Sequence, residues 1–481
     1  MQHTIWEHIV RFYEHSVFFY CVCLFAFYTL LSTLSLIAIR RYAWKNRIRE
    51  TITLVESPLT PGISVVAPAY NEGVTIISNV RSLLALNYPR FEVIIVNDGS
   101  TDDTLEKLIR EFDLSEIDYA YHPQLFSQPV KRFFKSANPA YAKLLVLDKE
   151  NGKSKADAAN AGINAAAFGY ILNTDVDCIL NRDTLLKLIR PFMDEEKRVI
   201  ATGAPLRMAN SCETDAGMLT AVHPPEDLLP RFQEMEYVRS FVLGKMGWTF
   251  INAVPNVSGG LGLFDKEILI KTGGYDPASM GEDMDMVIRM CKYMCEQKQE
   301  YAVRYIPETL CWTEGPSTLK VFGRQRTRWA RGLMQIFGKH RHVLFNPKYK
   351  RLGLVVFPYN FLFELLAPVI EFTGILYYIY IIVFNIINWD FAVILLLFIY
   401  TFSVLISSLA VLWDQFTFQY YRSWKDVAGL CLMAFLEPLI YHPLVLFFSI
   451  KGYFYQLTGK KHGWGNMQRK GFKQQVKPAC K

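Results

Sequence analysis

Two aspartates close an apolar run in "NTDVDCIL", Asn173 to Leu180. Alternate side chains of a strand share a face, so Asp175 and Asp177 can both reach one hard cation where the strand ends. Mg²⁺ and Mn²⁺ take oxygen ligands and are commonly shared with substrate phosphates. Alone, the pair is equally a turn with two solvated acids, so the neighbouring runs matter. In "NDGSTDDT" Asp98 ends a strand beside a glycine turn, where it can accept hydrogen bonds from a base or a ribose. In "ENGKSKADAANAG" Gly152 and Lys153 precede a helix, where backbone N–H groups and a lysine can meet phosphate. Together these runs suggest a nucleoside diphosphate lying over a sheet edge, its charge partly balanced by a metal.

Such a site needs a scaffold, and residues 50–350 supply its pattern. "ISVVAPAYNEG", "FEVIIVNDGS", "AKLLVLD" and "GYILNTDVD" are short apolar runs that end in polar residues. Between them "STDDTLEKLIREF" reads as a helix, with Ser100 and Thr101 as caps, Asp102 and Asp103 at its positive end, and Leu105, Leu108, Ile109 and Phe112 on one face. "KADAANAGINAAAFG" reads as a second helix. This alternation predicts an α/β fold with a mostly parallel sheet, whose ligands bind at the carboxyl ends of the strands. The segment 119–140, with three prolines among basic and aromatic residues, breaks the rhythm and is expected to be a long loop near the site or a surface insertion.

Apolar residues make up 51% of the 481, and they gather at 16–39 and 352–450. Residues 16–39 carry no charge and are long enough to span a bilayer. The cationic cluster Arg40, Arg41, Lys45, Arg47 and Arg49 follows this segment instead of preceding it, which argues for an uncleaved anchor with its start outside. Stretches near 359–384 and 391–413 look like two passes. Residues 427–450 are interrupted by Glu437, Pro438, His442 and Pro443, which would disturb a simple spanning helix. A third pass would also carry the basic tail outside, so either 427–450 is re-entrant or interfacial, or another helix hides within 352–384. The net charge of +7 lies largely beside the membrane segments, and no nucleic-acid motif accompanies it. Nine cysteines without a C-x-x-C pair give no sign of a zinc site or a disulfide framework.

Six motifs in order, "AYNE" (69–72), "NDGSTDDT" (97–104), "GKSKADAANAG" (152–162), "DVD" (175–177), "GED" (281–283) and "QRTRW" (325–329), resemble those of the family-2 inverting glycosyltransferases. Within these the chain resembles the membrane-embedded processive synthases of poly-N-acetylglucosamine, hyaluronan, chitin and cellulose. The resemblance implies a GT-A (Rossmann-like) domain between transmembrane helices. The expected division is a 1–45 anchor, a cytoplasmic catalytic domain at 50–315, interface helices at 316–350, membrane or interfacial helices at 352–456, and a basic cytoplasmic tail at 457–481. It also implies roles. Glu72 and Asp98 would bind the uridine, Lys153 and Asp157 would lie along the nucleotide-sugar, Asp175 would contact the diphosphate or ribose, and Asp177 with Asp175 would hold Mg²⁺ or Mn²⁺. Asp283 would be the general base with Glu282 beside it. Gln325, Arg328 and Trp329 would lie on an amphipathic helix at the membrane surface, Gln325 binding the nucleotide-sugar and Arg328 meeting the pyrophosphate, and Trp329, Ser258 and Gly259 would line the acceptor side.

Expected partners are a UDP-sugar, a growing glycan and membrane lipids, with accessory envelope subunits left open. Expected localisation is the plasma (inner) membrane, in several passes. The alternative reading is a non-processive transferase acting on a lipid, like ceramide glucosyltransferases. Two features stand beside the resemblance. Many relatives have two helices before the catalytic domain, and here there is one. Met284, Val287, Ile288 and Cys291 would also serve as a plain core stripe, with Asp283 as a first-turn acid.

Overall fold

Apolar runs bounded by Gly, Asn and Asp become the central strands of one large sheet. In chain order the strands are β1 (Ile63–Ala69), β2 (Phe91–Asn97), β3 (Leu114–Ile117), β4 (Val130–Ser136), β5 (Leu144–Lys149), β6 (Tyr170–Thr174), β7 (Ile179–Leu180), β8 (Arg198–Gly203), β9 (Leu206–Met208), β10 (Glu213–Asp215), β11 (Met218–Ala221), β12 (Leu261–Asp265), β13 (Tyr301–Tyr305) and β14 (Cys311–Thr313). The computed structural model describes residues 2–48, 57, 59–215, 217–460 and 473–474. The expected basic tail therefore lies mostly outside the described residues.

The main sheet has the order β13-β8-β12-β6-β1-β2-β5-β4-β3. Strands β6, β1, β2 and β5 are parallel, with Ala69 opposite Asn97 and Asn97 opposite Asp148. That register brings their polar carboxyl ends to a common edge, the usual ligand edge of an open α/β sheet. Their near-continuous Val, Ile and Leu content follows from burial on both faces. The helix Lys155–Ala165 presses close on this sheet: a Cβ at Gly162 would stand 2.4 Å from Val66 Cγ1.

Two local expectations change. The segment 119–140 is partly strand: β4 pairs antiparallel with β5 and with β3, extending the sheet to its edge, and none of these residues lines the cavity described below. The helix Thr104–Glu111 is held at its start by Asp102, which accepts from Thr104 N at 3.0 Å and from Gly73 N at 3.0 Å. Burial alone would raise this carboxyl, but these bonds outweigh it and hold it below the usual range. Ser100 and Thr101 instead bond the turn at Asn71.

Among the described residues, four helices are long and apolar enough to cross a membrane: Val10–Trp44, Leu352–Val383, Ala392–Phe418 and Trp424–Leu457. The last continues through Glu437–Tyr441 as a wider i→i+5 turn. Its two flanks both meet the α/β unit. Tyr420 OH accepts from Thr309 N and Tyr421 OH bonds Glu234, while at the far end Lys460 O accepts from Arg331 on the helix Leu319–Lys339. Midway, Tyr441 OH donates to Glu236 at 2.6 Å.

The helix Glu282–Glu296 is fixed to Leu319–Lys339 by close backbone approach and by charge. A Cβ on Gly332 would lie 2.9 Å from Gly281 N. Asp285, fully buried, bonds His340 Nε2 at 2.8 Å, Arg289 Nε at 2.7 Å and Lys339 Nζ at 3.0 Å. Burial would raise this carboxyl, but those three partners outweigh it and hold it well below the usual range. Asp285→Asn is expected to destabilise the protein by about 3 kcal/mol, since a buried ion cluster loses its anion. Because the folded carboxyl titrates lower than the unfolded one, its contribution is complete above about pH 4 and fades as acid protonates the folded group. Thermal unfolding of solubilised protein between neutral and acid pH checks both: wild type and variant should converge on acidification.

Candidate active site

The strand ends, the turn after β6 and the helix Leu319–Lys339 enclose one continuous cavity of about 1910 Å³. Glu72, Asp98, Lys153, Asp175, Asp177 and Asp283 all line it, as do Ser258, Gly259, Glu282, Gln325, Arg328 and Trp329. All the expected residues but Asp157 therefore share one space, although they come from segments more than two hundred positions apart.

Asp98 is set by a buried pair beneath it. Its Oδ1 accepts from Lys149 Nζ at 2.6 Å and from Gly152 N at 2.9 Å. Lys149 is fully buried and also contacts Asp157 at 2.5 Å. Asp157, expected at the nucleotide, is 1% exposed and is spent on Lys149 and on Gln128 N. It positions Asp98 from behind and does not line the cavity.

Asp175, Asp177 and Cys178 bring their ligand atoms within 4.8 Å of one another. The two carboxylates suit a hard divalent ion. The thiol does not: its contact with Cys311 and its burial push Cys178 well above the ordinary thiol range, so it stays protonated. Asp175 is ion-paired with Lys155, which also donates to Gly259 O at 2.7 Å. Burial would lower the Lys155 ammonium, but Asp175 outweighs it and raises it. Lys155 is a further cation of the site, beside the expected Lys153, that sequence reasoning missed. Ser154 caps the helix by accepting from Ala156 N, which makes Lys155 its first residue, and that cap was the available signal.

The acid pair opens the helix Glu282–Glu296. Asp283 Oδ2 accepts from Gly259 N at 3.1 Å and Oδ1 from Met284 N at 2.8 Å. Gly259 thus bonds the candidate base through its N–H and Lys155 through its carbonyl. Burial and the neighbouring Asp283 raise Glu282, while Arg328, at 3.9 Å, opposes them. Gln325 Oε1 accepts from Gln233 Nε2 at 3.0 Å. Trp329 is 37% exposed, with the Arg326 guanidinium 4.7 Å from its ring centroid. Arg326 in turn pairs with Glu236, fixing the helix beneath the tryptophan. Lys245 lines the same cavity and donates to Asn256 O at 2.9 Å and Asn256 Oδ1 at 2.6 Å, anchoring the loop that carries Ser258 and Gly259. Burial pushes its ammonium down to about 8.

The family model described as Glycosyl transferase family 2 matches residues 64–213, and that described as Glycosyl transferase family group 2 matches 226–406. Together these two models cover most of the chain, which belongs to the family-2 glycosyltransferases. It is similar to the poly-β-1,6-N-acetyl-D-glucosamine synthase of Staphylococcus epidermidis, 28% identical over 64% of this chain and 62% of that one. It is also similar to the synthase of the same name from Staphylococcus aureus strain COL, 27% identical over 56% and 54%. The chain spans about six-tenths of the length of the curated relatives it matches. Among solved structures, a mannosyltransferase from Pyrobaculum calidifontis in complex with GDP-Man and Mn²⁺ aligns over 91% of this chain and 100% of its own, at 18% identity and a TM-score of 0.49.

Proposed function

We propose that the protein transfers sugar from UDP-N-acetylglucosamine or UDP-glucose to a growing β-linked polysaccharide and passes that chain along its own membrane helices. The observation that carries this reading is the continuity of the cavity. It runs from Asp98, Asp177 and Asp283 past Trp329 to Tyr20, Tyr359 and Tyr400 on the apolar helices. A nucleotide-sugar occupies only part of such a space.

The chemistry follows from the residues. The oxygens of Asp98, oriented by Lys149 and Gly152, receive the nucleoside. Lys155 and Arg328 offset diphosphate charge from two sides. Mg²⁺ or Mn²⁺ held by Asp177 and Asp175 would act as a Lewis acid on the leaving diphosphate. Asp283 takes the proton of the acceptor hydroxyl; a carboxylate has about four lone-pair sites, so its two backbone bonds leave room for that proton. Attack from the face opposite the diphosphate inverts the anomeric carbon, so an α-linked donor yields a β-linkage. Trp329 offers an apolar ring to the pyranose C–H face.

The membrane arrangement belongs to the same proposal. The last apolar helix begins and ends at the catalytic unit, which supports a re-entrant path for it, with three helices crossing. That path puts the basic tail on the same cytoplasmic side as the catalytic unit, in accord with the positive-inside rule.

The test is incubation of membranes containing the protein with each UDP-sugar, following UDP release and product size. A ladder of long chains, abolished by a metal chelator, is expected. A product of one sugar on lipid would replace the polymer with a lipid acceptor. Activity retained in chelator would remove the metal.

A further inference from the structure

Three wider, i→i+5 helical turns border one region: Arg239–Lys245, Phe361–Leu365 and Glu437–Tyr441. Such turns are rare and are frequent at functional sites. Each of these places an ionisable side chain on the cavity wall: Arg239 and Lys245, Glu364, and Glu437. Two further groups, Glu371 and His442, stand on the same wall. With Glu236 and its partner Arg326, which line the same stretch, the region beside the apolar helices holds four carboxylates against two guanidiniums and one imidazole, with Lys245 at the neck beside Asn256.

Most of these charges answer one another. Arg239 bonds Glu437 at 2.5 Å and Ser407 at 2.6 Å. His442 Nε2 meets Glu371 at 2.8 Å. Glu364 makes no hydrogen bond or ion pair with a described residue, yet it stands in the wall of the cavity. An ionisable group at membrane depth without a protein partner is costly unless water or a ligand satisfies it. Around it are ring systems: Tyr359 packs edge-on against Trp248, and Phe363 packs against Tyr20 and Tyr359. Aromatic walls with a hydrogen-bond acceptor between them are the chemistry that holds a sugar, with C–H faces on rings and hydroxyl or N–H donors on the carboxylate.

We infer that this stretch of the cavity is a glycan-binding subsite that selects by charge. It accepts sugar units that are neutral or carry an amine, it rejects uronate-bearing units, and Glu364 is its unpaired acceptor. Rejection follows from repulsion: with Glu364 ionised, a uronate entering beside it brings two carboxylates together in the cavity, whereas a sugar hydroxyl, amide N–H or ammonium supplies a donor. The inference rests on the proposed passage of glycan along this cavity and adds the class of glycan to it.

Binding, measured apart from turnover, tests it. Detergent-solubilised full-length protein is titrated without donor, using three labelled probes of equal length: a β-linked N-acetylglucosamine oligosaccharide, its de-N-acetylated form, and an oligosaccharide carrying glucuronate. The first two are expected to bind at least about ten-fold more tightly than the third. In Glu364→Gln the preference for amine over uronate should shrink to about two-fold, and in Glu364→Lys it should reverse. UDP-sugar binding in the same preparations reports a folded catalytic unit. Equal binding of all three probes by wild type overturns the subsite, as does a Gln variant that keeps full discrimination. A protein that discriminates among the probes yet makes no polymer from any UDP-sugar would leave the subsite standing and remove the synthase reading.

Discussion

Asp283→Asn is expected to lower kcat by about 10²- to 10⁴-fold, the range a positioned general base contributes. Donor binding should stay near wild type. Asparagine is nearly isosteric, and its Oδ1 can still accept from one of the two backbone donors, Gly259 N or Met284 N, that aspartate serves. What it cannot do is take a proton from the acceptor. The contrast with the neighbouring acid sharpens the experiment. Burial and the charge of Asp283 raise Glu282, so removing that charge lets Glu282 ionise more readily. If Glu282 can serve in its place, Asp283→Asn will retain residual turnover, and Asp283→Asn with Glu282→Gln will remove it. UDP release under saturating donor, set beside direct titration of UDP binding, separates the two effects. Turnover equal to wild type in the single variant would dismiss Asp283 as the base.

Much of this geometry is legible in the sequence because it depends on strand ends. The runs ending at Asp98 and Asp175 are short, apolar and bounded by turn residues, so their acids had to emerge at one edge of a parallel sheet. The supports were less legible. Lys149 lies inside an apolar strand, and only the fold shows that it is fully buried between Asp98 and Asp157. Asp157 sits on the first turn of its helix, a position that reads as phosphate-facing until the sheet turns it toward Lys149. The last apolar helix shows a different limit. Its Glu437 and His442 read as interruptions, and their partners Arg239 and Glu371 lie on remote segments that no local pattern connects. The segment 119–140 reads as a loop or a surface insertion because prolines and basic residues mask the alternation of β4, which lies next to the sheet's edge strand β3 and leaves Lys131, Arg132 and Lys135 exposed.

The joint between the catalytic unit and the membrane helices depends on another group with no local signature, Arg207 on β9. Among the described residues it is one of the largest fully buried side chains. Its guanidinium donates to Glu234 at 2.8 Å, to Thr309 Oγ1 at 2.9 Å and to Asp414 on the helix Trp389–Phe418. Glu234, fully buried, also accepts from Met208 N at 2.7 Å and from Tyr421 OH at 2.6 Å. Burying such ions is costly, so the arrangement persists only while each is satisfied. Arg207→Met leaves two carboxylates facing one another without a cation, and the expected loss is about 3–5 kcal/mol. Denaturant or thermal unfolding of solubilised protein measures it. Adding Glu234→Gln and Asp414→Asn to the same protein should recover a substantial part, because the repulsion disappears even though the hydrogen bonds are not all restored. A single variant within about 0.5 kcal/mol of wild type would show that the network contributes nothing to stability. A strong loss with recovery in the triple variant would show that these charges hold the membrane helix to β9, the strand whose Leu206 and Met208 also line the active-site cavity.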